Sequence, residues 1–410
     1  MYELKKTLGF FSGTALFLNI VIGAGLLILP GIVYQQVGQN AIISWALVSL
    51  ISVPILIIFT ILGVYFPNSG GVAYYAEKAF GNIGRNFATL LLLGAVAFGL
   101  PSIALTGAYY LSAILPFQYH FYAALLILLP TLLHLFSGKH ISTITTTIGS
   151  TVIVFIIILL FFAIRDTQGI ETIKLPHINN NIFDLFSPFM IIFFAFTGWE
   201  IGAHSAEEFK NPKRDFPIAM LFSFLITTIL YLTVAFLVQQ EENITDPLTP
   251  FIGILKKALG DKAVLLVSLL ATLIVFANLF GAIWGVSRLV YSLSRDKVIP
   301  KYFSLTNKQG TPIYAIILTN TALLFVLALD YYNFLSIESM LSIAGQNFLI
   351  LYGVASCALF FLSKKLLFKI ISITVVLIIS IIIIFGGVFL LYPLAILIIS
   401  YVINFTGNKN

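Results

Sequence analysis

The chain has 410 residues, 60% of them hydrophobic and only 9% charged, with a mean hydropathy of +1.05. Soluble domains carry about a quarter charged residues, so a soluble globular fold is excluded. The net charge of +6 calls for no nucleic-acid partner, because cytoplasmic loops of membrane proteins are rich in Lys and Arg.

Apolar runs fall at 8–36, 41–65, 84–115, 120–136, 141–164, 185–206, 216–239, 262–293, 312–330, 335–362, 367–386 and 389–405. A spanning helix needs about 20 apolar residues, so the chain reads as an all-α polytopic membrane protein of about twelve helices. The shorter, alternating strands of a β-barrel would look more polar. The first run follows "MYELKK" without a clear cleavage site and is read as a retained helix rather than a signal peptide. With the N-terminus inside, 17 of the 22 basic residues fall on the cytoplasmic side, which predicts that both termini are cytoplasmic. The lone Cys357 leaves no internal disulfide or cysteine metal site. The five histidines show no metal-ligand spacing, and no metal or cofactor is expected.

The first run contains "NIVIGAGLLILPG", Asn19 to Gly31. Glycines at its middle weaken a helix where lipid offers no water to freed backbone groups. The sixth run is interrupted in the same manner at "FAFTGWEIGAH", Phe194 to His204. Small residues alone permit close helix packing, but two breaks five spans apart are the hydropathy signature of an inverted five-plus-five repeat. On that reading 1–165 forms the first repeat, 185–363 the second, and 367–405 two added helices, all within one transporter domain. A broken helix exposes amides where its second half begins and carbonyls where its first half ends. The amide end suits a carboxylate and the carbonyl end a cation. Two such breaks side by side suit a zwitterion, and an α-amino acid is the obvious one. Gly23 and Gly25 let a ligand approach the backbone, and Ala24 adds only a methyl group.

These residues resemble a known family. "IGAGLLILPG" and "FFAFTGWE...AEEFKNPKRDFPIA" are similar to the first- and sixth-helix motifs of the amino acid–polyamine–organocation (APC) permeases. "YFPNSGGVAYYAEKAFG" and "SRLVYSLSRDKVIP" resemble the family's second and eighth loops. The match runs from about Leu8 to Lys364. Within the family, "EFKNP.RDFP", "PILIIFTILGVYFPNSGGVA" and "FGLPSIAL" most resemble bacterial exporters of methionine and branched-chain amino acids. The resemblance implies a LeuT-like fold in the bacterial inner membrane, as a monomer or homodimer embedded in the lipid bilayer. It implies carboxylate-binding amides at Ala24 and Gly25, with Gly23 making the turn. It also implies ammonium-binding carbonyls at Val21, Phe194 and Thr197. Side-chain contacts would come from Leu100 and Ile103 on the third helix, Ala282 on the eighth, and Ser342 and Gln346 on the tenth. Phe194 would close over the substrate.

Leu100, Ile103, Phe194 and Ala282 carry no charge, and a charged substrate side chain left unpaired among them would cost several kcal/mol. The expected substrates are therefore methionine, leucine, isoleucine and valine, although Gln346 could serve a polar group. Of the 16 acidic residues, 15 lie in or near the expected loops or tails, and Glu200 alone sits well inside a span. An intramembrane carboxylate is a functional candidate by default, since removal from water favours its protonated form. It reads as the proton-coupling or gating group, or as a tie for the amides of the break. Sodium coupling is the alternative, with Ser287 as a candidate ligand. The fifth run holds no lysine but carries Ser142, Thr143, Thr145, Thr146, Thr147, Ser150 and Thr151, residues that more often pack helices than bind ions. The "AEEFKNPKRDFP" turn reads equally as a solvated loop or as a gate with "SRD", Ser294 to Asp296. The segment "PNSGGVAYYAEKAFG" reads as a short amphipathic helix at the inner mouth.

The leading function is secondary active amino acid transport by alternating access, as proton-coupled efflux. An importer or exchanger of the same superfamily is the alternative. A membrane enzyme would need several converging ionisable groups, and a channel a polar lining ring; neither pattern is present in the sequence.

Overall fold

A computed structural model describes residues 8–68, 70–136, 182–240, 246–295, 298–307 and 311–407, together with Ile157 and Phe161. The regular elements among the described residues are helices, apart from a single parallel bridge between Leu8 and Phe209. The helices are α1 (Phe10–Val21), α2 (Ala24–Val37), α3 (Ala41–Tyr65), α4 (Gly71–Ser112), α5 (Tyr119–Phe136), α6 (Phe189–Ala195) and α7 (Trp199–His204). There follow α8 (Asp215–Gln240), α9 (Pro250–Leu259), α10 (Lys262–Arg295), α11 (Ile313–Tyr331), α12 (Ile337–Leu362), α13 (Leu366–Ile383) and α14 (Leu391–Gly407). Among the described residues, eight helical segments are long and apolar enough to cross a membrane. The protein is thus a multi-pass membrane protein. The expected fifth run, 141–164, lies outside the described residues apart from Ile157 and Phe161.

Helices dominate because apolar segments in lipid must satisfy their own backbone polar groups. The hydroxyls within them do the same by bonding one turn back. Ser49 donates to the Trp45 carbonyl at 2.8 Å, Ser52 to Val48 at 2.8 Å and Thr106 to Ser102 at 2.9 Å. The helix α4 contains one true interruption: Gly81 has φ 69°, ψ −159°. A residue without Cβ adopts that backbone freely, and the bend separates a short leading helix from the long spanning part. The expected short helix at "PNSGGVAYYAEKAFG" corresponds to this leading segment.

Two groups of helices are visible in the packing. The helices α1 and α3 pack most heavily on α8, and α2 also rests on it. The second group centres on α4, which packs against α5, α10 and α11, with α11 packing in turn on α5 and α10. The helix α12 joins the two, because it lies along α4 and also touches α6 and α3. The α13–α14 pair is peripheral: only 22% of its most apolar window is buried.

One helix was not expected. The region between the seventh and eighth runs reads as a loop in sequence, yet Pro250–Leu259 forms α9 with Pro at its first turn, where its missing N–H costs nothing. The preceding turn presses on α2, since a Cβ at Gly31 would collide with the Pro247 carbonyl.

Candidate functional site

Both expected breaks are present, and they touch. The first helix stops at Val21; Ile22 (φ −82°, ψ 97°) and Gly23 (φ −132°, ψ −150°) are extended before α2 begins at Ala24. Leu26 N donates back to the Gly23 carbonyl at 3.2 Å, so the amides of Ala24 and Gly25 ahead of it have no carbonyl within the helix to receive them. The sixth helix stops at Ala195, and its chain turns through Phe196, Thr197 and Gly198 before α7. Gly198 sits at φ 110°, a conformation that L side chains rarely adopt. A Cβ there would stand 2.8 Å from Ile20 Cγ2 and 3.4 Å from Val21 Cγ2. The second break therefore lies directly on the end of α1.

Around this junction the walls are apolar and buried. Val21, Ala24, Leu100 and Ile103 are each less than one tenth exposed. A Cβ at Gly99 would stand 2.9 Å from Phe194 Cε2 and 3.6 Å from Ala344 Cβ. The Phe194 ring thus lies between the third-helix and tenth-helix walls, one residue from Leu100. Gly345 rests on the Met190 carbonyl, and a Cβ there would stand 3.4 Å from Phe194 N. Ser342, three residues earlier, is half-buried, as is Ala282.

The polar groups are arranged less simply. The Phe194 carbonyl accepts the Thr197 hydroxyl at 2.8 Å and the Thr197 amide at 3.3 Å, so this expected ammonium ligand is engaged within its own turn. Gln346 is fully buried, but its amide lies against Gly386, where a Cβ would be 3.0 Å from Nε2. It faces the α13–α14 junction instead of the break, because adjacent helix positions point about 100° apart. The Ser287 hydroxyl donates to the Trp284 carbonyl at 2.8 Å and receives Arg288 Nη1 at 3.4 Å, so a guanidinium already stands at this expected cation ligand.

Glu200 is 1% exposed. Its Oε2 accepts the Gly198 amide at 2.9 Å and the Tyr352 hydroxyl. The carboxyl thus reaches back to cap the start of its own helix and ties α7 to α12. Tyr352 is held by ring contacts with Phe59 at 4.7 Å and Phe193 at 5.6 Å. The Gly198 amide also donates to the Tyr352 hydroxyl at 3.2 Å, so the second break bonds to α12 both directly and through the carboxyl, a geometry that fits the tie the sequence left open.

Three residues at the site escaped the sequence reading. Tyr352 is one. Tyr231 is another: its hydroxyl would stand 3.1 Å from a Cβ on Gly25, and it is buried with no hydrogen-bond partner among the described residues. Its ring stacks on Trp45, with centroids 4.9 Å apart and planes at 14°. The third is Asn278 on α10, whose Nδ2 would lie 2.7 Å from a Cβ on Gly23. Tyr231 and Asn278 approach glycines, and that is the signal they share: each of these two polar groups occupies room that a side chain would fill. The expected gate partner Asp296 and the His204 side chain lie outside the described residues.

A pair of facing helix breaks with open amides, set in an apolar bundle, is an arrangement shared with membrane carriers. Residues 8–408 match the family model described as "Amino acid permease". The chain belongs to the amino acid permease family, within the APC superfamily. The permease is 29% identical over 360 residues to the uncharacterized amino acid permease YecA of Bacillus subtilis, covering 84% of this chain and 82% of the relative. It is also 29% identical over 299 residues to the L-methionine/branched-chain amino acid exporter YjeH of Escherichia coli, covering 71% of each. With the branched-chain amino acid permease BcaP of Bacillus subtilis it shares 24% over 349 residues, 76% of this chain and 72% of the relative. These relatives are permeases and transporters, and the permease is not an enzyme.

Proposed function

We propose that the permease is a secondary transporter of neutral, apolar amino acids, with methionine, leucine, isoleucine and valine as its substrates. The observation that carries this reading is the contact of Gly198 with Ile20 and Val21, which sets the open amides of Ala24 and Gly25 beside the second break. The substrate carboxylate takes those amides, favoured by the positive end of α2. The ammonium takes carbonyls at the end of α1 and in the turn after α6, at Val21 and Thr197. The Phe194 carbonyl joins them once Thr197 releases it. Phe194, Leu100, Ile103 and Ala282 form the side-chain wall, with Ser342 at its tenth-helix edge. No charged group stands on that wall among the described residues, so arginine or glutamate would leave a buried charge unpaired.

The twelve-helix, five-plus-five arrangement follows if the residues at 141–164 supply a fifth span. In that frame α1, α2, α3, α6, α7 and α8 form a bundle that rocks against α4, α5, α10 and α11, exposing the site alternately to the two sides. The direction is efflux across the inner membrane with both termini cytoplasmic, a reading supported by the similarity to an exporter and by the distribution of lysines. Glu200 is the proton-responsive group: gain of a proton weakens its hold on the Gly198 amide and so loosens the second break. The test is a panel of labelled amino acids in proteoliposomes, with and without a pH gradient, for the native protein and Glu200→Gln. Saturable leucine or methionine exchange that responds to the gradient in the native protein alone is the expected result. Exchange confined to arginine or glutamate would overturn the substrate reading. Full gradient response in Glu200→Gln would overturn the coupling role.

A further inference from the structure

Away from the broken helices, α4, α12, α13 and α14 border a cavity of about 360 Å³. Its lining includes Phe87, Gly353, Val354, Ile379, Ser380 and Leu397. The Ser380 hydroxyl is turned back to the Val376 carbonyl at 2.8 Å, so it offers the cavity little. An amino acid would find no partner here for either charge. The size nonetheless lies in the range of small-molecule sites, and the cavity opens outward, because Ser380 is exposed and Leu397 is 41% exposed on the surface that faces lipid.

One end of this cavity is basic. Lys369 precedes Val376 by seven residues, two turns along the same face of α13 and about 10 Å away. Its Nζ lies 5.1 Å from the Phe360 ring, and Phe360 follows the lining residue Cys357 by one turn of α12. Lys364 and Lys365 stand exposed in the connection between α12 and α13. Arg85, next to the lining residue Gly84, pairs with Glu77 at 3.7 Å. The charge is thus at the end of the spans, and the lining runs inward from Cys357, one turn beyond Phe360, to Val376, about 10 Å from Lys369. Half the hydrocarbon thickness of a bilayer is about 15 Å, so the cavity lies at acyl-chain depth beneath a basic rim.

The geometry points to a phospholipid site: one acyl chain fills the cavity, and an anionic headgroup sits at Lys369, while Lys365 is held by the Tyr65 hydroxyl at 3.2 Å. Basic residues at membrane ends attract anionic headgroups, and the groove, open on its Ser380 and Leu397 side, would make one lipid part of the α4–α12–α13–α14 joint. The site does not depend on which substrate the permease moves.

Native mass spectrometry of the full-length protein, titrated with phosphatidylglycerol or phosphatidylethanolamine of the same chains, tests this. The native protein should retain one phospholipid and prefer phosphatidylglycerol about fivefold, the ratio expected of one lysine at a membrane surface. Gly353→Leu fills the space, since a Cβ there meets nothing closer than Ile379 Cγ2 at 3.6 Å, and should weaken both lipids by an order of magnitude. Ser380→Phe, from the exposed side, should do the same and serves if the first variant does not fold by gel filtration. Lys369→Gln should leave phosphatidylethanolamine binding unchanged and abolish the preference. Undiminished lipid retention in a folded cavity-filling variant would overturn the proposal, as would an intact preference in Lys369→Gln or occupation by detergent alone.

Discussion

Gly198→Ala is the sharpest probe of the joined breaks. At φ 110° an L-residue is held in a sparsely populated region at a cost of about 1–3 kcal/mol. The new methyl would also stand 2.8 Å from Ile20 Cγ2, closer than carbon atoms sit in packed interiors. Overpacking of this kind adds about 1–3 kcal/mol. The substitution should therefore cost about 2–6 kcal/mol and push the two breaks apart. Gly285→Ala is the matched control, because that glycine lies within α10 with nothing within 4 Å of an added Cβ. Helix propensity alone should make it neutral or stabilising by up to about 1 kcal/mol. Thermal unfolding in detergent, followed by amino acid exchange in liposomes, measures both. Gly198→Ala should unfold well below the native protein and lose exchange, whereas Gly285→Ala keeps both. Equal stability of the two variants would refute the contact between the breaks.

Other substitutions test single elements of the site. Tyr352→Phe removes one of the two described donors to the buried Glu200 carboxyl, and a hydrogen bond to a charged group is worth about 1.5–3 kcal/mol; unfolding midpoints should fall accordingly, and an unchanged midpoint would contradict the tie between α7 and α12. Tyr231→Phe deletes a buried hydroxyl that has no hydrogen-bond partner among the described residues, so stability should hold or rise, while the half-saturating substrate concentration in exchange assays should increase if the hydroxyl reaches the ligand beside Gly25. Gly31→Ala forces the turn at Pro247 off α2; a loss of about 1–3 kcal/mol is expected, with faster proteolysis at 246–249 as the local readout.

Much of this architecture was written in the apolar runs. The limits 41–65 and 262–293 coincide closely with Ala41–Tyr65 and Lys262–Arg295, because a run of apolar side chains in lipid has only the helix open to it. The breaks were equally legible, since Gly-Ala-Gly and Thr-Gly-Trp-Glu stand where an uninterrupted helix would avoid glycine. What could not be read was rotation about the helix axis. Gln346 and Gly345 are neighbours in sequence, yet one meets Gly386 and the other the α6 backbone. A shift of one residue turns a wall residue into a packing residue. Nor could the sequence show that Tyr352, 152 residues beyond Glu200, would be the partner of that carboxyl. Such pairs are set by tertiary packing, as is the press of Pro247 on Gly31. The helix α9 was missed because its ten residues are too few to register as a spanning run and mix lysines with aliphatic residues.

The claim at the centre is that the two breaks hold both charges of an apolar amino acid. Competition in leucine counterflow tests it directly, using leucine analogues that lack either the carboxylate or the ammonium group. Methionine and valine should compete with labelled leucine, whereas isopentylamine and 4-methylpentanoate should fail at concentrations at least tenfold higher. If either truncated analogue competes as well as leucine itself, the paired-break account of binding is wrong.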